Sequence, residues 1–177
     1  DIIIVHDCAY SEVTFDGYET HSILEVDGAK DVAIEMHSFS KTFNMTGWRM
    51  AWACGGAPFI EALSKAKSNV DSGTFIAIQR AGIAALKGPF DESDAMVAEF
   101  KVRRDLLVDG LNAIEGISCK RPRGAFYVFA NIKELGLTSK QVETRLLDDH
   151  GVAALAGSLA LLLAIATGAA RSTPGAA

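Results

Sequence analysis

Ser38-Phe39-Ser40-Lys41-Thr42-Phe43-Asn44-Met45-Thr46-Gly47-Trp48-Arg49 decides how the rest of the chain is read. A lysine follows an apolar, strand-like run, with two hydroxyls before it and an arginine eight residues later. A lysine amine is a useful nucleophile only where a partly desolvated, electropositive setting lowers its pKa. The end of a buried strand beside an arginine supplies that setting. Taken alone, the same residues equally suit a solvated lysine in a loop.

Working outward, three short β-rich runs occupy the first third: Ile2 to Val5, Val32 to Met36 and Met50 to Cys54. Each ends in polar or glycine-containing sequence, and such runs suit a sheet covered on both faces. The first reads as a strand already buried, and it ends in Val5-His6-Asp7-Cys8-Ala9-Tyr10-Ser11-Glu12. Pro58 marks a first helical turn, after which Phe59, Ile60, Leu63 and Ala66 follow at helical spacing. Gly73 breaks the pattern, and a second helix carries Phe75, Ile76, Gln79, Ile83 and Leu86 up to Gly88-Pro89, a hinge or domain boundary. From Asp91 a longer amphipathic stretch holds Val97, Phe100, Leu107, Leu111 and Ile114. Strand-like runs at Gly116 to Lys120 and Ala125 to Ile132 follow, and Thr138 with Gln141 makes a capping box before Val142, Leu146 and Leu147. No internal repeat is present. The pattern predicts an α/β fold: the end of a larger sheet, then a smaller α+β unit.

Ser-Phe-Ser-Lys followed by Gly-Trp-Arg resembles the cofactor-lysine signature of class I/II aminotransferases, enzymes of the pyridoxal-phosphate transferase fold type I. The resemblance implies that Lys41 holds pyridoxal 5'-phosphate as a Schiff base, while Ser38 and Arg49 bind its phosphate. A dianionic phosphate is best held by a bidentate guanidinium with hydroxyl or backbone donors. Ser40 is a neighbour that equally packs. The Asp7-to-Tyr10 segment, 34 residues before the lysine, resembles the family's Asp-x-x-Tyr element. It implies that Asp7 faces the pyridine nitrogen and that Tyr10 donates to the ring's phenolic oxygen. In isolation Asp7 suits a cap and Tyr10 a half-buried aromatic. Lys67 to Phe75 with Gln79 is similar to the loop that reaches the partner subunit's active site in the family's homodimer, and Arg121 to Phe129 resembles a small-domain strand.

The resemblance covers roughly residues 1 to 158 and corresponds to the C-terminal half of the family. It implies residues 1–88 as the last part of the large cofactor-binding domain, 89–158 as the small C-terminal domain and 159–177 as an atypical apolar tail. Family elements of the N-terminal half, including the aromatic stacked on the pyridine, have no counterpart here. The chain lacks an initiator methionine and reads as a fragment. Beyond Ser158, Arg171 stands in a setting unlike that of the family's substrate-carboxylate arginine, and a shifted reading frame or an unrelated end would account for the Ala/Leu/Gly composition. The activity implied is amino transfer between an amino acid and a 2-oxo acid in amino-acid biosynthesis, with wording most like aminotransferases for aspartate, alanine or LL-diaminopimelate. A carbon-sulfur lyase of the same fold, or a non-catalytic cofactor-binding fragment, stays open.

Composition excludes several other classes. With 22 Asp+Glu against 17 Lys+Arg the net charge is −5, and no basic stripe suits nucleic acid. The basic clusters Lys101, Arg103, Arg104 and Lys120, Arg121, Arg123 read as solvated faces. Cys8, Cys54 and Cys119 form neither a CxxC pair nor a disulfide framework, which fits a reducing, cytoplasmic compartment. His6, His21, His37 and His150 lack metal-ligand spacing and read as satisfied structural groups, so no metal is expected. Val152 to Ala170 carries no charge, but its Ala and Gly content and the absence of a Trp or Tyr belt argue against a membrane anchor.

Overall fold

Strand β2 (Ala33–Ser38) is the centre around which the first part of the chain is built. Its Ala33, Ile34 and Glu35 are all buried. It pairs in parallel with β1 (Ile4–Asp7), Asp7 standing opposite Met36, and antiparallel with β3 (Ala51–Gly55), Ser38 standing opposite Ala51. The computed structural model describes residues 2–157 and 162–164. The expectations for Ser158, Arg171 and most of the apolar tail therefore lie outside the described residues. Among those residues no helix is long and apolar enough to cross a membrane.

The chain divides into two units: residues up to Glu99 together with Arg123–Ala125, and Phe100–Pro122 together with the residues from Phe126 onward. In the first unit, β3 turns sharply into α2 (Ala57–Val70) through Gly55 and Gly56. Gly55 has φ +155, and a Cβ there would meet the Ala33 carbonyl oxygen at 2.7 Å. A Cβ on Gly56 would overlap the Lys30 carbonyl oxygen, so only glycine lets the two backbones approach this closely. Pro58 occupies the first turn of α2, where its missing N–H has no helical partner to lose. Helix α3 (Ile76–Lys87) ends at Gly88, and α4 (Asp91–Asn112) opens with Asp91, Glu92 and Asp94, favourable to the helix dipole.

Two sequence expectations need correction here. The run expected to be a buried strand is exposed: Ile2 by 84%, Ile3 by 60%, Ile4 by 42% and Val5 by 58%. Among the described residues β1 is an edge strand with β2 as its one partner, and its Ile4 and Val5 side chains stay open to solvent. Apolar content sets strand propensity, but burial needs a covering element. α2, which packs on β2 and β3, has no buried residue, and α3 leaves its Phe75 cap, Ile76, Ile83 and Leu86 exposed.

In the second unit, β4 (Ser118–Cys119), β5 (Tyr127–Asn131) and β6 (Leu162–Ala164) form an antiparallel sheet. Val108, Cys119 and Val128 are its buried core, with Leu107 and Leu111 against them. Arg104, expected on a solvated face, is instead buried at 1% exposure. Its Nη1 donates to the Pro122 carbonyl at 2.9 Å and its Nε to Asp105 at 2.9 Å, which is what permits an arginine inside. Helix α5 (Ser139–His150) has the expected capping box. The Thr138 hydroxyl accepts from Gln141 N–H and the Gln141 side chain accepts from Thr138 N–H.

Candidate functional site

Sheet register gathers the predicted site residues. β1 and β2 are parallel and finish at the same end of the sheet, and antiparallel β3 starts there. Asp7 closes β1, Ser38 closes β2, and Arg49 lies two residues before β3 begins. Three side chains far apart in sequence thus share one sheet end.

Lys41 reaches that end because strand turns directly into helix. Ser38 is extended (φ −134, ψ 135), caps α1 (Phe39–Thr42), and its hydroxyl accepts from Ser40 N–H at 3.1 Å. So short a helix is marginal alone. Its anchor is Phe39, which is buried and edge-on to Trp52 at 5.1 Å, worth about 2 kcal/mol of transfer free energy. The Thr46 hydroxyl locks the following turn by donating to the Ser40 carbonyl at 3.1 Å.

Lys41 Nζ lies over the Tyr10 ring, 5.3 Å from its centroid. Asp7 is exposed, while Ser38 and Lys41 are partly covered. The placement of Asp7, Ser38 and Arg49 rests on register. Arg49 adopts a left-handed backbone (φ 55, ψ 50), unusual for a residue with a Cβ, and its exposed guanidinium donates to the Thr46 carbonyl at 3.0 Å. Ser40 is buried, with both its backbone groups engaged, and serves the turn.

One cluster escaped the sequence reading. Glu35, 3% exposed, accepts from His6 Nδ1 at 2.8 Å, Ser22 Oγ at 2.8 Å, Ile23 N–H at 2.9 Å and His37 Nε2 at 2.7 Å. Burial alone pushes this carboxyl up, but the four hydrogen bonds together hold it at about 2. His37 stacks on Trp52 with centroids 4.7 Å apart. Cys8 and Cys54 flank the cluster, their thiols pushed up by burial and then by the Glu35 charge. His6 and His37 both engage the Glu35 carboxylate. No spaced motif announced the cluster, because its members come from three strands. The available signal was alternation: His6 and Cys8, Glu35 and His37, and Trp52 and Cys54 are each two apart and so share a sheet face.

Comparison with known proteins places this geometry in a family context. The sequence model of the family described as aminotransferase class I and II matches residues 1–177. The LL-diaminopimelate aminotransferase of Moorella thermoacetica is 48% identical over 152 residues, which is 86% of this chain and 38% of that one. The enzyme of the same name from Desulforudis audaxviator is 53% identical over 131 residues, 74% of this chain and 33% of that one. The chain thus spans little more than a third of the length of these relatives. Among solved structures, the aspartate aminotransferase from Rhizobium meliloti superposes with a TM-score of 0.88 at 30% identity, covering 95% of this chain and 45% of that one. An aromatic aminotransferase from Pyrococcus horikoshii gives 0.89 at 31%, covering 94% and 47%.

Proposed function

This chain belongs to the aminotransferase class I and II family, and on that premise we propose that it acts in pyridoxal-phosphate-dependent transfer of an amino group from an amino acid to a 2-oxo acid. The fold is part of the pyridoxal-phosphate fold type I, a family whose members depend on that cofactor. The observation that carries the reading is Lys41 Nζ over the Tyr10 ring at the sheet end shared with Asp7, Ser38 and Arg49. That set fits a phosphate-bearing pyridine aldehyde: an amine to condense with the aldehyde, a hydroxyl and a guanidinium for the phosphate, and a carboxylate for the ring nitrogen.

When bound, the cofactor supplies an electron sink for the carbanion formed at the substrate Cα. In this proposal Lys41 is anchor and base. With the cofactor bound, the free Lys41 Nζ would take the proton from the substrate Cα and return one later in the turnover. Asp7 would keep the pyridine nitrogen protonated, and Tyr10 would donate through its hydroxyl to the ring oxygen. Ser38 and Arg49 would hold the phosphate, and Ser40 supports the turn. Of the amino acids weighed from sequence, LL-diaminopimelate is favoured by the names of the similar enzymes.

We ascribe residues 1–88 to the cofactor-binding domain and 89–158 to the small domain. A two-unit division supports this, although its break falls inside α4. A homodimer is supported by the exposed apolar residues Phe75, Ile76, Ile83 and Leu86. A cytoplasmic location is supported by three free cysteines. The test is amino transfer from LL-diaminopimelate to a 2-oxo acid by the purified protein supplied with cofactor. Turnover should disappear in Lys41→Ala, and turnover undiminished by that substitution would refute the assignment.

A further inference from the structure

We propose that Glu35, His37 and Cys54 form a binding site for one zinc-class divalent ion, held by Glu35 Oε1, His37 Nε2 and Cys54 Sγ with water in the fourth position. The three groups offer ligand atoms that all lie within 4.8 Å of one another. Register brings them together: Cys54 stands opposite Glu35 across the β2–β3 pair, and His37 is two residues along the same face.

The ligands are oriented in advance, as metal sites require. Glu35 Oε2 is occupied by Ser22 Oγ, Ile23 N–H and His6 Nδ1, at 2.8, 2.9 and 2.8 Å. These three donors fix the carboxylate and leave Oε1 facing His37 Nε2 at 2.7 Å. Trp52 lies parallel to the His37 ring, 4.7 Å away with 4° between planes, and sets the imidazole orientation. One imidazole nitrogen, one thiolate and one carboxylate oxygen are a borderline donor set. Three protein ligands plus water is a common zinc arrangement, with bonds of about 2.0–2.3 Å. Taking up an ion at such bond lengths opens the Glu35 Oε1–His37 Nε2 pair from its present 2.7 Å, with movements of about 1 Å or less.

Binding is a proton exchange with no redox change. The Cys54 S–H bond breaks and its proton leaves to solvent. The His37 proton that now points at Glu35 moves from Nε2 to Nδ1, and the Nε2 lone pair becomes the ligand. A second triple, His6, Cys8 and Glu35, also lies within 4.8 Å, but it would draw on Oε2, already saturated by its three donors. The site lies immediately before Ser38, so a bound ion would clamp β2 to β3 just upstream of Lys41. It stands independently of the aminotransferase reading.

Cobalt(II) titrated into the metal-free full chain tests this, with zinc added afterwards to displace it. The expected result is one ion per chain, with the visible bands of tetrahedral cobalt and a near-ultraviolet thiolate-to-cobalt charge-transfer band. Cys54→Ser should abolish the charge-transfer band and weaken affinity at least tenfold or so. His37→Gln should weaken binding but keep the band, and Cys8→Ser should leave both unchanged. Zinc should raise the Tm of the parent chain and not that of Cys54→Ser. Absence of the charge-transfer band in the parent chain would overturn the proposal. So would a band lost in Cys8→Ser but retained in Cys54→Ser.

Discussion

Replacing Glu35 by Gln tests a buried carboxylate that accepts from four donors. In the folded chain its carboxyl is held at about 2, against an ordinary 4.5, because four donors outweigh the cost of burial. At about 1.4 kcal/mol per pKa unit this corresponds to about 3 kcal/mol of stability at neutral pH. The folded pKa is depressed, so the contribution is complete above about pH 5 and fades as pH falls from the unfolded value towards 2. Roughly 2 kcal/mol of it should be gone by about pH 3. A glutamine keeps one acceptor oxygen but turns an NH2 group towards donors, so Glu35→Gln should be about 2–3 kcal/mol less stable near neutrality. Urea unfolding followed by circular dichroism, with chelator present and the pH stepped from about 7 to about 3, gives the comparison. The parent curve should converge on that of the variant as acid is added. A constant gap across this range, or a variant as stable as the parent at neutral pH, would refute the reasoning.

Borohydride reduction after incubation with pyridoxal phosphate should place the adduct on Lys41, and peptide mapping reads it; label spread evenly over Lys30, Lys65 and Lys101 would remove the central assignment. In the active protein Asp7→Ala should lower turnover far more than cofactor content, since the phosphate contacts give most of the affinity; near-normal kcat would reject its role. Gly56→Ala should destabilise the chain by about 1–3 kcal/mol, because the methyl group meets the Lys30 carbonyl and not a flexible side chain, and unchanged thermal unfolding would contradict that packing.

Local features were legible in the sequence. The Pro58 start of α2, the Gly88 stop of α3 and the Thr138–Gln141 box of α5 each depend on residues within one turn, and each appears where the pattern put it. The motif around Lys41 was readable for the same reason, since one strand end and one helical turn carry it. Features set by distant partners were not. The run from Ile2 to Val5 has strand chemistry, but no local pattern states whether a layer covers it. Arg104 looks like one more cation in a basic run until Asp105 and Pro122 are seen to satisfy it. Glu35 gave only the alternation with His37 as a signal, because its four donors come from residues 6, 22, 23 and 37, joined only once β1, β2 and the turn at Ser22 are in place.

The open side of β1 also bears on how the protein behaves in a test tube. Among the described residues β1 is paired on one side only, and a strand edge with unpaired N–H and C=O groups, bordered by exposed isoleucine and valine, is a template for another strand. Two such edges meeting would extend the sheet across molecules, so loss of material on storage should grow steeply with protein concentration. It should respond little to reductant. A lysine at Ile3 would place a charge on that border and should slow the process, the device that natural edge strands use to stay solitary.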